Sequence, residues 1–204
     1  MPAVAPTPSV APPAPLADAE ARPSRWVWTR EQYDRMVDTG ILTTEHDVEL
    51  LGGQVVKKMS QNEPHAVSTG LVSDVLRDVF GAGAHTRDEK PLALSDLSEP
   101  EPDIVVARGA RRDYLNGHPA PASVLLLVEV ADTSLLQDRR HKLPLYAEAG
   151  IVECWIVNLR DRQLEVYRDP AGEAYRTKTT HRPDEAVAPV ARPDARVSVA
   201  DLLP

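Results

Sequence analysis

With a single cysteine, Cys154, the 204-residue chain has no internal disulfide framework and no cysteine zinc cluster. Long apolar runs are missing too. A membrane span needs ~20 apolar residues, whereas the longest stretch, Val124-Leu125-Leu126-Leu127-Val128, is strand-sized and stops at Glu129. The amino terminus lacks the basic segment and apolar stretch of a secretory signal. Together these absences lead us to expect a cytoplasmic protein with no membrane partner. Positive charge is also scarce. The formal net charge of -8 argues against broad, sequence-blind binding to nucleic acid, because such binding neutralises phosphates with Lys and Arg. That exclusion has a limit. Charge distribution matters more than its sum, and a carboxylate-built metal site adds negative charge that a bound ion inverts locally.

What is present is globular. Hydrophobic residues make up 42% and charged residues 26%, enough for one domain with a sizeable core. Residues 1–24 are the exception. They are rich in Pro and Ala, cannot bury enough surface to offset ordering entropy, and read as a disordered tail leaning to polyproline II. The folded domain is expected over 25–204.

Thr29 is a candidate N-cap for a short helix to Asp38, stopped by Gly40. Val48–Leu51 and Gln54–Val56 flank Gly52-Gly53 and read as a tight hairpin. Val67, Leu71, Val72, Val75, Leu76 and Val79 keep helical spacing over His65–Phe80. Strands are expected over Ala84–Leu94 and Asp103–Ala107, with a loop at 108–122. Ser123–Val130 is apolar on both faces, as a central, doubly covered strand should be. Ser134 with Gln137 forms a capping box, and Pro144 either kinks that helix or begins another ending at Gly150. Val152–Val157 is a further buried strand. Leu164–Tyr167 and Ala174–Thr179 read as a peripheral hairpin with Asp169-Pro170 in its turn. Val197–Leu203 closes as a short strand or helical turn.

The strongest local anomaly is Glu129, inside an apolar strand. An ionised carboxylate there is costly unless paired or bound to a metal, or unless it reaches solvent at the strand's end. Asp103 opens another strand directly after Pro102. If the two strands are neighbours, two carboxylates converge, and hard cations such as Mg²⁺ take oxygen ligands of this kind. Lys142 lies on the helix after the Glu129 strand. It is either an exposed i,i+4 partner of Asp138 or a cation aimed at the carboxylates. Glu49 precedes the hairpin glycines and reads alone as solvent-facing. His65 reads as a surface histidine at a helix start, His141 as pointing away from Lys142, and Cys154, Trp155 and Tyr146 as core. The Arg108–Arg112 cluster reads as solvated.

An acidic residue on an early element, then Pro-Asp, Glu on a buried strand and Lys resembles the PD-(D/E)xK nuclease arrangement. More specifically, the chain resembles the Uma-two family of restriction-endonuclease-like proteins. The segments that carry this are Val48–Val56, Glu101–Val106, Leu127–Leu135, Asp138-Arg139, Lys142–Ile151 and Glu153–Leu159, and the likeness extends over 25–204. It implies an α/β, restriction-endonuclease-like core, with a mixed central β-sheet flanked by helices and peripheral β-hairpins. It implies Asp103, Glu129 and the Val130 backbone carbonyl as metal ligands, Glu49 beside them holding the ion directly or through water, and Lys142 in the lysine's role. The general motif places that lysine two residues after the Glu, where this chain has Ala131. In the Uma-two pattern it moves to the following helix, where Lys142 stands.

The implied activity is Mg²⁺-dependent endonuclease cleavage of nucleic acid, DNA foremost, with Mn²⁺ as an alternative metal and a homodimer supplying two sites for two strands. Two other readings stay open: a nuclease-fold binding module without activity, and a metal-dependent hydrolase of a small phosphorylated substrate.

Overall fold

The computed structural model describes residues 25–204, and the expected tail at 1–24 lies outside the described residues. Its centre is β5 (Val124–Ala131), the doubly apolar strand. With β3 (Ala84–Asp88), β4 (Ile104–Arg108), β6 (Glu153–Asn158), β7 (Gln163–Ala171) and β8 (Ala174–His181) it forms one six-stranded sheet, ordered β3-β4-β5-β6-β7-β8. Only β5 and β6 run parallel. Parallel strands need a crossover, usually helical, and here it contains α3 (Leu135–Gln137) and α4 (Leu143–Glu148).

Side chains alternate across a strand. On one face Leu126, Val128 and Val130 pack with Val72, Leu76 and Phe80 of α2 (Glu63–Phe80). On the other, Val105, Leu127, Ala131 and Ile156 pack with Leu143 and Tyr146. Glu129 shares the parity of Leu127 and Ala131, so it turns toward α4. The antiparallel register pairs Ile104 with Val128. One step further, it sets Asp103 opposite Glu129.

The hairpin of β1 (Val48–Leu51) and β2 (Gln54–Lys57) forms as its glycines require. Gly52 and Gly53 have φ of +55° and +75°, the left-handed pair of the tight hairpin turn. Gly53 also has no room for a side chain, since a Cβ would lie 2.2 Å from Val27 Cγ1. Gly53 N–H donates to Leu97 O (2.6 Å), Gly52 N–H to Ser98 Oγ (2.9 Å) and Glu99 N–H to Leu50 O (2.8 Å). These bonds press β1 onto the 95–99 loop and bury Glu49. The helix α1 (Arg30–Asp38) begins at the Thr29 cap, in a reciprocal box with Gln32.

Several sequence expectations need correction. The strand predicted over Ala84–Leu94 ends at Asp88, because Glu89 turns with φ of +50° and Leu92 and Leu94 enter the core from a loop. α2 starts at Glu63 on an Asn62 cap. Val67 and Leu71 on it are exposed, while Ser68 and Ser73 are buried with partners of their own, Leu202 O and Asp88 Oδ1, both at 2.7 Å. The Ser134–Gln137 capping box is absent. Ser134 is helical (φ -78°, ψ -12°) and its Oγ donates to Asp138 Oδ2 at 2.7 Å instead. β7 runs through Asp169-Pro170 and turns after Ala171, which pairs with Ala174 across Gly172. The β7–β8 hairpin is part of the main sheet rather than peripheral. The carboxyl-terminal segment behaves as expected, with Val197–Ser198 in a short strand and Val199–Leu202 in a 3-10 turn.

Pro144 stands in the first turn of α4, so of the two expected outcomes it begins a second short helix, which ends at Glu148. It lacks the N–H that an α-helix needs, and the preceding turn, Asp138–Lys142, widens into a π-helix in which Leu143 N–H reaches back to Asp138 O. Arg139 of this turn is fastened to the sheet through the fully buried Glu165 on β7. Glu165 also accepts from Tyr167 Oη (2.6 Å), Lys178 Nζ (3.1 Å) and Asn158 Nδ2 (3.2 Å). Burial alone would raise its carboxyl, but Arg139, Tyr167, Lys178 and Asn158 outweigh burial and hold it at about 2, against an ordinary 4.5. The unfolded chain therefore takes up this proton first as pH falls. The network's stabilisation is present above pH ~4.5 and disappears toward pH 2. A shift of this size corresponds to about 3 kcal/mol, reduced to roughly 2 kcal/mol because Arg139 and Lys178 are partly solvated. Urea unfolding should find Glu165→Gln less stable by about that amount at pH 7, with the gap closing between pH 4.5 and 2.5. A gap that stays constant across that range would contradict this account.

Candidate active site

Asp103 stands where β4 begins, and its carboxylate accepts from Val130 N–H at 2.6 Å. Its own N–H points to Glu129 Oε2 at 3.4 Å. The two carboxylates are thus cross-braced between neighbouring strands, as adjacency of β4 and β5 requires. Glu129 is buried, and its Oε1 accepts from Tyr146 Oη at 2.5 Å. Lys142 Nζ lies 3.3 Å from the same Oε1 and 3.5 Å from Glu49 Oε1. Glu49 Oε2 accepts from Glu101 N–H at 3.0 Å. All four side chains singled out from the sequence therefore meet. Val130 contributes its N–H to Asp103.

Three sequence readings are overturned. Glu49 does not face solvent; it is almost fully buried behind the cleft, because β1 is pressed onto the 95–99 loop. Asp138 and Lys142 are not an exposed pair, since both are buried on the inner side of the π-helical turn. His65 is not a surface residue. It is buried in the first turn of α2, with Nε2 3.3 Å from Asp103 Oδ1. Tyr146 does pack in the core as expected, but its hydroxyl belongs to the site. Asp138, Lys142 and Tyr146 recur every four residues, a one-face signal that was available in the sequence. Nothing in the sequence around His65 marked it. Cys154 is fully buried, and His141, Arg108 and Arg112 are exposed, as expected.

His65, Asp103, Glu129, Asp138 and Lys142 line a cleft of about 280 Å³ that holds six carboxylates: Asp47, Glu89, Glu101, Asp103, Glu129 and Asp138. Its lysines are already engaged. Lys58 pairs with Asp47 (3.1 Å) and Glu101 (2.8 Å), and Lys142 with Glu49 and Glu129. Burial pushes the Glu129 carboxyl well above the usual range, with Lys142 opposing and Asp103 and Asp138 adding to the rise. Asp138 is pushed up to about 6, again mainly by burial. Burial would lower the Lys142 ammonium, yet Glu129, Glu49, Asp138 and Asp103 outweigh that and hold it above its ordinary value. Burial would lower the His65 imidazole, yet its hydrogen bond to Asp103 and the charges of Asp103, Glu89 and Asp138 together outweigh that and raise it above its ordinary value.

Negative charge thus exceeds its internal compensation, and the donors are hard oxygens, which suits a hard divalent cation. Among the described residues, no group of three or more His, Cys, Asp or Glu side chains is placed to hold a metal ion. None is required for Mg²⁺, which commonly binds through one or two carboxylates and keeps several waters. Asp103 and Glu129, both lining the cleft, meet that requirement. No helix of the described residues is long and apolar enough to cross a membrane.

The fold is similar to a crystal structure from Anabaena variabilis described as "a putative nuclease belonging to DUF820". The TM-score is 0.65 and the sequence identity 18%, covering 85% of this chain and 96% of that one. At that identity the likeness carries the fold alone. No curated protein matches the chain. The family model Uma2, described as "Putative restriction endonuclease", matches residues 30–200, and the chain belongs to this family.

Proposed function

We propose that the protein is a divalent-metal-dependent endonuclease that hydrolyses phosphodiester bonds in nucleic acid, with DNA as substrate and Mg²⁺ as metal, Mn²⁺ being an acceptable replacement. The observation that supports this most is the meeting of Lys142 with Glu129, 3.3 Å apart, beside Asp103 in an acidic cleft. In this reading Asp103, Glu129 and the Val130 carbonyl hold the ion, and Glu49, one layer deeper, acts on it through water. When bound, the ion supplies an acidified water and offsets charge on the phosphate oxygens.

The chain's own residues have separable tasks. Lys142 presents its ammonium to the attacking water or to a phosphate oxygen as charge develops there. Glu49 and Asp138 keep that ammonium charged and directed. Tyr146 fixes the Oε1 of Glu129. A homodimer brings two such sites to the two strands of a duplex.

The test is a substrate panel of supercoiled plasmid, single-stranded DNA, RNA and mononucleotides, each with Mg²⁺, Mn²⁺ or EDTA. Nicked and linear plasmid are expected with either metal and none with EDTA. Hydrolysis of mononucleotides alone would replace this reading with a small-substrate hydrolase. Absence of any cleavage, together with no heat of metal binding, would replace it with an inactive nuclease-fold module.

A further inference from the structure

The amino-terminal end of α2 is tied to the end of the strand that carries Glu129. Asn62, its cap, accepts from His65 N–H at 3.1 Å, and its Nδ2 donates to Asp132 Oδ2 at 2.6 Å. Asp132 follows Glu129 by three residues. Histidines in the first turn of a helix are ordinarily solvated, but the His65 ring is directed inward. Its Nδ1 faces Thr69 Oγ1 at 3.4 Å and its Nε2 faces Asp103 Oδ1 at 3.3 Å. With the Thr69 hydroxyl as donor to Nδ1, the ring hydrogen sits on Nε2 and points at Asp103, so the contact needs no charged imidazole.

Asp103 then has both oxygens assigned. Val130 N–H takes Oδ2 at 2.6 Å and His65 takes Oδ1. Among the described residues His65 supplies the only side-chain hydrogen bond or ion pair to the Asp103 carboxylate. The carboxylate torsion of an Asp is intrinsically broad, and the backbone N–H alone fixes one oxygen while leaving the other to rock. The helix has anchors other than His65. Its core contacts come from Val72, Leu76 and Phe80, and its start is capped by Asn62.

We propose that His65 is a positioning residue for Asp103: it fixes the rotation of that carboxylate, and through it the affinity of the cleft for a divalent cation. This rests on the metal-dependent nuclease reading and assigns to it a residue on a third element, α2. Hydrogen-bond partners of metal-binding groups typically change affinity by about 10–100-fold when removed.

The probe is Mn²⁺ alone, titrated into the full chain and followed by calorimetry and by the electron paramagnetic resonance signal of free Mn²⁺. His65→Phe keeps a ring without a donor, and His65→Ala removes the donor without added bulk. Both should bind Mn²⁺ about 10–100-fold more weakly than the parent. His65→Gln places an amide N–H at the reach of Nε2 and should recover most of the loss. A purely structural role would lower the urea midpoint of all three variants with no separation between Gln and Ala in Mn²⁺ affinity. Parent-like affinity in His65→Ala, or in His65→Phe if the Ala variant does not fold, overturns the inference and leaves the nuclease reading intact. So does a Gln variant as weak as Ala. A parent that binds no Mn²⁺ overturns the nuclease reading itself and takes this inference with it.

Discussion

Glu129→Gln should reduce metal-dependent cleavage by about a thousandfold or more while the protein remains as stable as the parent. A metal ion at a phosphoryl centre supplies several kcal/mol of transition-state stabilisation, and about 4 kcal/mol corresponds to three powers of ten in rate. The amide is isosteric, so the Tyr146 hydroxyl can still donate to Oε1, as it does at 2.5 Å. It removes a buried charge that Asp103 and Asp138 both repel, and it forfeits the attraction of Lys142, which keeps Glu49 and Asp138 as partners. Those changes oppose each other, and urea unfolding at pH 7.5 should place the variant within about 1 kcal/mol of the parent. Asp103→Asn should behave alike in cleavage. If both variants cut plasmid within tenfold of the parent, these carboxylates do not carry the reaction.

The separation of a rate effect from a stability effect follows from how the site is built, and the same construction decides what the sequence could disclose. Glu129 was legible because a charge in Val124–Val130 conflicts with its surroundings, and period-2 alternation alone sends it toward the side of Leu127 and Ala131. Asp103 was legible through Pro102 and the strand that follows. The Gly52-Gly53 turn and the Thr29 cap were legible because each local signal has one inexpensive backbone solution. What stayed hidden depends on contacts distant in sequence. Glu49 resembles any half-polar strand residue until Gly53 and Leu97, Gly52 and Ser98, and Glu99 and Leu50 join. Ser68 and Ser73 are buried because Leu202 O and Asp88 wait for them across the fold. The false capping box at Ser134 arose for a related reason: its hydroxyl has a better acceptor in Asp138, which the cleft has pulled inward. His65 is the extreme case, since its partner is thirty-eight positions away and its own neighbourhood is ordinary helix.

Lys142→Met should be costly in both stability and rate, unlike Glu129→Gln. The ammonium is buried and offsets Glu49 and Glu129 at 3.5 and 3.3 Å. Methionine fills its volume but leaves two buried carboxylates facing each other across an apolar side chain. Removing one member of a buried charge cluster costs about 3–5 kcal/mol, mostly through the charge left behind. Cleavage should fall by a further 10²–10³, the usual loss when one preorganised charged donor is removed. Lys142→Arg separates the two effects. It keeps the positive charge and should recover much of the stability. Its planar, longer head cannot occupy the compact position between the two oxygens, so the rate should stay low. Urea unfolding and plasmid cleavage, measured on the same preparations, read both quantities. A Lys142→Met protein as stable as the parent would mean that the neighbouring carboxylates are neutral without the lysine. A Lys142→Arg protein with parental cleavage would mean that only charge, not the placement set by the π-helical turn, matters there.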